Sequence, residues 1–319
     1  MAPSEATLTQ WFADHRAVLW GLSYRITGSA ADADDVVQET FAKAHQHAPA
    51  QLGDARRWLT RVAVNAARDL LRRRRRRSYI GPWLPTPIET SGHAPPSFEP
   101  IVDGQSLEGR YDLVESASLA YLQALEALTP TQRAVLLLRD VFDYAAAEVA
   151  EVLDTSEGNV RIIHHRARRV MESYNRRQPR PTPSRPGRTQ KALQQFLTLL
   201  AAGDVHGIEQ MLAADVRTVT DANGEYTALV RPLAGRPRVA KFFAQFSQAR
   251  RRGPVAITIR QINGLPTADI EIASPGGRRP PRLLLGIDLN DDGKILNVWV
   301  IASTSKLASI PPGLETPRV

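Results

Sequence analysis

The chain has 319 residues, enough for two or three domains, and 43% of them are apolar, so packed cores can form. Its formal charge is +8, from 41 Lys and Arg against 33 Asp and Glu, and it contains no cysteine, which excludes disulfides, zinc–thiolate sites and thiol catalysis. Met1 to Gln10 lacks the basic-then-apolar pattern of a signal peptide, and no apolar run reaches the ~20 residues that span a bilayer, so no membrane partner is expected.

Helical periodicity opens the chain. Trp11, Leu19, Leu22 and Ile26 share one face, Gly28-Ser29 breaks the run, and Val36, Val37, Phe41 and Ala44 share the next. Asp32, Asp34 and Asp35 fall in the first turn of that second helix, where acids complement the macrodipole. A third helix starts near Asp54 and runs into six consecutive arginines, Arg72 to Arg77, a block that needs a polyanion or solvent beside it. Six prolines between Pro82 and Pro100 then mark a linker, although Tyr79-Ile80 and Trp83-Leu84 are too apolar for a passive spacer.

Helical pattern resumes from about Asp112 to Arg177, and a second Pro-rich, basic linker follows, Pro179 to Arg188. Beyond it helices are predicted at Gln190–Ala202, Val205–Leu212 and Arg238–Arg250. Four short strands come next: Val255–Ile262, Thr267–Ile272, Leu283–Leu289 and Ile295–Ala302, the last two joined by an Asp291-Asp292-Gly293 turn. Helices followed by an antiparallel meander predict an α+β domain.

Two of the helical segments carry nucleic-acid chemistry. Ala145 to Leu153, the turn Asp154-Thr155-Ser156 and a helix from Glu157 form a helix-turn-helix pattern. Val149, Ala150, Leu153, Val160 and Ile163 face inward, and Ser156 is suited to cap the second helix. Its outward residues, Asn159, Arg161, His164, His165, Arg168 and Arg169, offer an amide and guanidinium groups to base edges and cations to phosphates. In the third helix Arg57, Arg61, Asn65 and Arg68 recur on one face, a pattern that can follow a phosphate backbone while the amide reads a base.

Two helical modules, acidic then basic, a loose linker and a closing helix-turn-helix resemble the extracytoplasmic-function sigma factors. Ala33-Asp34-Asp35-Val36-Val37-Gln38-Glu39-Thr40-Phe41 resembles their polymerase-binding helix. Trp58-Leu59, Arg61-Val62-Ala63, Asn65, Asp69 and Arg72 resemble the segment that reads the −10 element. Leu128-Thr129-Pro130, Arg133, Arg161 and His165-Arg166-Ala167-Arg168 resemble the −35-reading domain. Tyr79-Ile80-Gly81-Pro82-Trp83-Leu84-Pro85-Thr86-Pro87 is similar to the linker of the members with a C-terminal SnoaL-like domain. Departures occur at Thr86, where Glu is common, at Asp221-Ala222-Asn223-Gly224-Glu225, in place of a glycine-rich turn, and at Ser303-Thr304-Ser305-Lys306-Leu307.

The resemblance implies a multidomain chain. Residues 1–77 form sigma region 2, 78–111 a Pro/Gly-rich linker, 112–178 region 4, 179–188 a linker, 189–308 a cone-shaped SnoaL-like regulatory domain and 309–319 a tail. The first two domains are all-α and the third is α+β. It implies a cytoplasmic, non-enzymatic factor without cofactor or metal, whose partners are core RNA polymerase and the −10 and −35 promoter elements. Asp34, Asp35, Gln38 and Glu39 would dock on the polymerase. Arg57, Arg61, Asn65, Arg68, Arg72 and Arg73 would hold the −10 DNA, and Ser156, Asn159, Arg161, His165, Arg168 and Arg169 the −35 DNA. Trp83, Leu84, Asp221 and Lys306 would form an interdomain contact. Whether the third domain takes a small-molecule ligand stays open. Two rival readings stand beside it: an enzyme using His206, Asp215, Asp221 or Asp288, and a plain DNA-binding regulator that never meets polymerase.

Overall fold

The structure, a computed structural model, describes residues 3–48, 54–74, 79–90, 116–177, 184–250, 255–273 and 275–312. The chain divides into two units, Met1–Ser78 with Gly92–Tyr174 and Tyr79–Ser91 with Asn175–Val319.

The first unit is helical throughout its described residues. α1 (Glu5–Thr27) starts at Ser4, whose hydroxyl accepts from the Thr7 N–H, and stops at Gly28, whose φ of 67° is left-handed. Ser29 restarts the helix, accepting from the Asp32 N–H at 3.2 Å and so capping α2 (Ala30–His47). α3 (Ala55–Arg74) packs on both α1 and α2 and buries Leu59, Ala63 and Ala67. Among the described residues four further helices follow: α4 (Leu119–Leu125), α5 (Pro130–Asp140), α6 (Ala146–Leu153) and α7 (Glu157–Arg177). Thr129 and Gln132 close a reciprocal capping box at the start of α5, with Pro130 in the first helical position, where its missing N–H costs nothing. Asp154 ends α6 in the left-handed region at φ 54°, a conformation Asp tolerates in place of Gly.

Residues 1–77 and 112–178, expected as separate domains, pack here as one unit. The reason lies in the orphan carbonyls at the end of α1. Arg133 of α5 donates across the two regions to the Ile26 carbonyl at 2.7 Å, and Arg74 of α3, which donates to the Thr27 carbonyl of its own region at 2.5 Å, reaches Glu126 of the second region at 3.8 Å. Arg133 is 2% exposed, and Glu126 at 2.8 Å balances its charge.

The second unit is α+β. α8 (Arg185–Ala202) begins inside the stretch expected as the second linker, and α9 (Val205–Met211) leads directly into β1 (Leu212–Asp221). β2 (Leu233–Ala234), α10 (Arg236–Arg250), β3 (Val255–Ile262), β4 (Leu265–Ile272), β5 (Arg282–Leu289), β6 (Ile295–Ile301) and the short α11 (Thr304–Leu307) follow. The sheet order is β2-β1-β6-β5-β4-β3. An antiparallel meander was expected. β3 to β6 form one, but β6 returns beside β1 in parallel, so the sheet is mixed. Asp291-Asp292-Gly293 makes the expected β5–β6 turn, with Gly293 at φ 75°. The helices bury Leu193, Phe196 and Phe243 against Val216, Ile270, Leu285 and Val298 of the sheet. The Trp299 indole lies so close over Gly286 that a Cβ there would come within 1.9 Å of it.

Candidate nucleic-acid interface

α3 presents its basic face along one side. Arg61, Asn65, Arg72 and Arg73 are exposed, Arg57 and Arg68 half-buried. Arg57 opens the row, its backbone N–H bonded to Asp54 at 3.1 Å. The hydrogen bond from its side chain to Glu151, at 2.5 Å, holds the guanidinium above its ordinary pKa. Arg68 is moved the other way, first by burial and then by the neighbouring Arg72. It donates to Asn65 Oδ1 at 3.2 Å and to Thr131 Oγ1 at 3.0 Å, which fixes the amide in the middle of the row. Arg72 pairs with Asp69 at 2.8 Å. Arg75 to Arg77 lie outside the described residues.

α7 supplies a second basic face. Val160 is fully buried at its base, so Ser156, Asn159, Arg161, His165, Arg168 and Arg169 all stand exposed. Ser156 accepts from the Asn159 N–H at 3.2 Å, as its place before the helix requires, and the Asn159 side chain donates to Thr155 at 2.9 Å. A polar cavity of about 430 Å³ opens beside this face, lined by Arg139, Glu157, Arg161, His164, His165 and Arg168. Asp140, at the end of α5, holds His164 at 2.7 Å and Arg168 at 3.6 Å. Arg139 and Asp140 carry no signal in the sequence that links them to this face. They belong to a different helix, and no local spacing ties them to α7.

α2 carries the acidic face. Asp34, Asp35 and Gln38 are exposed, and Glu39 is half-buried. Trp20 donates its indole N–H to Asp34 at 2.8 Å, and Glu39 pairs with Lys43 at 2.6 Å, so two of these acids are oriented from within the unit.

In the second unit, Trp83, Leu84, Asp221 and Lys306 come together. Asp221, fully buried at the end of β1, accepts from the Tyr79 hydroxyl at 2.5 Å, the Leu84 N–H at 2.7 Å and the Lys306 ammonium at 2.5 Å. Lys306 also donates to the Leu84 carbonyl, and its ammonium lies 4.4 Å from the Trp83 ring centroid and 5.1 Å from that of Tyr79. Leu84 is 1% exposed. The segment continues along the sheet edge: Glu89 bridges Ile262, Thr90 donates to the Gln261 carbonyl at 2.7 Å, and Glu89 pairs with Arg260 at 3.0 Å. The described part of the expected 78–111 linker is therefore docked rather than loose.

The two stretches that depart from the family pattern also meet. Glu225 accepts from the Ser303 hydroxyl at 2.9 Å and the Thr304 N–H at 3.0 Å. Burial opposes its charge, but hydrogen bonds from the Thr304 side chain, the Thr304 N–H and the Ser303 hydroxyl together outweigh it and hold the carboxyl below its ordinary pKa.

The candidate catalytic residues are not brought together. His206 and Asp215 are exposed, and Asp288, buried on β5, accepts from the Asn297 side-chain amide of β6 at 3.4 Å. Asn297 aligns with Arg217 of β1, four residues from Asp221, which places Asp288 and Asp221 ~13 Å apart along the strand direction. No acid–base pair forms between them. Among the described residues no helix is long and apolar enough to cross a membrane.

These faces lie on segments that match two protein families. Residues 11–77, which include α3 and the acidic face of α2, match the sigma-70 region 2 model, and residues 118–171, with the helix-turn-helix, match the sigma-70 region 4 model. The chain is 31% identical over 310 residues to the ECF RNA polymerase sigma factor SigJ of Mycobacterium tuberculosis, covering 93% of this chain and 92% of the relative. It therefore belongs to the extracytoplasmic-function sigma factors. It is also 32% identical to SigG of the same species over 63% of this chain and 58% of the relative. The crystal structure of SigJ superposes with a TM-score of 0.74 at 28% identity, covering 95% of this chain and 99% of that one, so the match extends through the α+β unit.

Proposed function

We propose that this sigma factor reads its promoter with two basic faces and is modulated in cis by its C-terminal unit. With core RNA polymerase it directs initiation at promoters that carry −10 and −35 elements; it is not an enzyme. α2 docks on the polymerase through Asp34, Asp35, Gln38 and Glu39, since acids and amides along one helix suit a basic partner surface. Arg57, Arg61, Asn65, Arg68, Arg72 and Arg73 hold the −10 strand, where a base flipped out of the stack is the natural route to reading sequence. α7 enters the −35 major groove with Asn159 and Arg161 toward base edges and the later cations toward phosphates. The factor works in the cytoplasm, beside polymerase.

One observation carries the reading: the two segments matching sigma regions 2 and 4 each expose a helix lined by arginines around an amide. The cis element is the docked segment 79–90. α3 ends at Arg74, and five residues later, at Tyr79, the chain is held by Asp221, itself paired with Lys306 of the C-terminal unit. Tethering keeps that unit at high effective concentration beside the DNA-binding helices, so a weak contact suffices to act on them. Reconstitution with core polymerase on a library of promoter variants tests the assignment. Initiation confined to promoters with a defined pair of elements is expected, and loss of selectivity at −35 alone is expected for Asn159→Ala. Initiation indifferent to both elements would refute it.

A further inference from the structure

The last residue of α5 is an acid, Asp140, at the helix end where the macrodipole favours cations. Its carboxylate is turned to α7. One oxygen meets His164 Nε2 at 2.7 Å, and the other lies 3.6 Å from Arg168 Nε. His164 and Arg168 are one helical turn apart on the same face of α7, so a single carboxylate spans both. Arg139, the neighbouring cation, is engaged elsewhere: it donates to the Tyr144 carbonyl in the turn that follows α5.

A carboxylate in this place works against DNA binding in general, because it stands among the cations that approach phosphates and is itself repelled by them. Arg168 has two destinations: Asp140, and the polar cavity of about 430 Å³ that it lines with Arg161, His164 and His165. The two contacts of Asp140 differ in strength. The His164 side chain is 18% exposed and within hydrogen-bond distance, whereas that of Arg168 is 67% exposed and beyond it. A phosphate therefore draws Arg168 from Asp140 before it disturbs His164. We propose that Asp140 is a positioning and specificity-determining residue of the −35 site: it pins His164 on α7 and restrains Arg168, releasing that arginine to phosphate only where the helix is seated on its own bases. The proposal rests on the assignment of α7 to the −35 groove. Its physical basis is that specificity is a difference between two affinities. On random sequence phosphate attraction supplies nearly all of the binding, so a cation held back lowers it. On the cognate element base contacts hold α7 in place, and an exposed ion pair is readily exchanged for phosphate.

Binding of the full-length chain, in complex with core polymerase, to two duplexes tests this. One is a promoter from which the complex initiates, and the other is the same duplex with its −35 bases scrambled. Asp140→Asn keeps a hydrogen-bonding partner for His164 and removes the charge. It is expected to tighten binding to the scrambled duplex roughly threefold to tenfold at low salt, to change binding to the intact promoter by less than about twofold, and to steepen the salt slope on the scrambled duplex by about 1. Asp140→Glu, which keeps the charge, should keep the discrimination, and Arg168→Gln added to Asp140→Asn should cancel the gain. Discrimination left unchanged by Asp140→Asn would overturn the proposal. Equal weakening on both duplexes would overturn it too, since a merely structural residue acts in that way. Asn159→Ala locates the fault: if it lowers discrimination and Asp140→Asn does not, the −35 assignment stands and the role of Asp140 falls, and if neither lowers it both fall.

Discussion

Asp221 is fully buried, and a buried carboxylate is stable only when donors surround it. Three do: the Tyr79 hydroxyl, the Leu84 N–H and the Lys306 ammonium. Lys306→Met would leave that charge unpaired and cost about 3–5 kcal/mol, read as earlier denaturant unfolding of the C-terminal unit. Adding Asp221→Asn should recover part of the loss, because the orphaned charge goes with it. Glu225 gives a pH signature. Its folded pKa lies below the unfolded value, so its contribution is present above the unfolded pKa of about 4.3 and is lost as pH falls through the folded one. Glu225→Gln should flatten the acid limb of the stability curve, and an unchanged limb would contradict this. On the DNA side, Asn159→Ala should cost about 1–3 kcal/mol on the cognate −35 element and little on random sequence. Arg73→Ala should weaken binding to all sequences alike and reduce the salt slope, as measured by titration at several salt concentrations.

Elements differ in how much of themselves they show in sequence. The α6–turn–α7 pair was legible because its inward residues, its capping Ser156 and its exposed cations all lie within 25 residues. Gly28-Ser29 was equally legible as a stop and a start. β1 was missed for physical reasons. It follows α9 without a turn residue, opens with Leu212-Ala213-Ala214, which favours helix, and its register shifts between Leu212 and Arg217, which breaks the alternation. Without β1 there was no partner for a parallel β6, so the sheet read as a pure meander. α8 was expected to begin at Gln190 because Pro186 and Gly187 look like linker, yet Pro is at home in the first turn of a helix. The acidic face of α2 makes its own prediction. Asp35→Ala with Glu39→Ala should abolish capture by core polymerase while leaving the unfolding transition within about 0.5 kcal/mol, since these are surface positions. Undiminished transcription by the double variant would contradict the assignment.

At the scale of the whole chain, the segment after α3 belongs to the C-terminal unit rather than to the helices it connects. Its Pro-rich composition read as spacer. The apolar pair Trp83-Leu84 was the sign that it needed a shelter, and Asp221 and Lys306 provide one from residues more than a hundred positions away. Spacing alone could not have joined them; their pairing came from family resemblance, and the geometry supplies its physical reason. The helical regions carry the DNA and polymerase chemistry, and the α+β unit grips the chain between them. Run-off transcription from one promoter and one preparation of core polymerase tests this most directly, comparing the intact chain, Trp83→Ala and a chain stopping at Ser184. Both altered chains should bind core polymerase like the intact protein and yet differ from it in transcript yield. Equal yields from all three would mean that the C-terminal unit is a passenger.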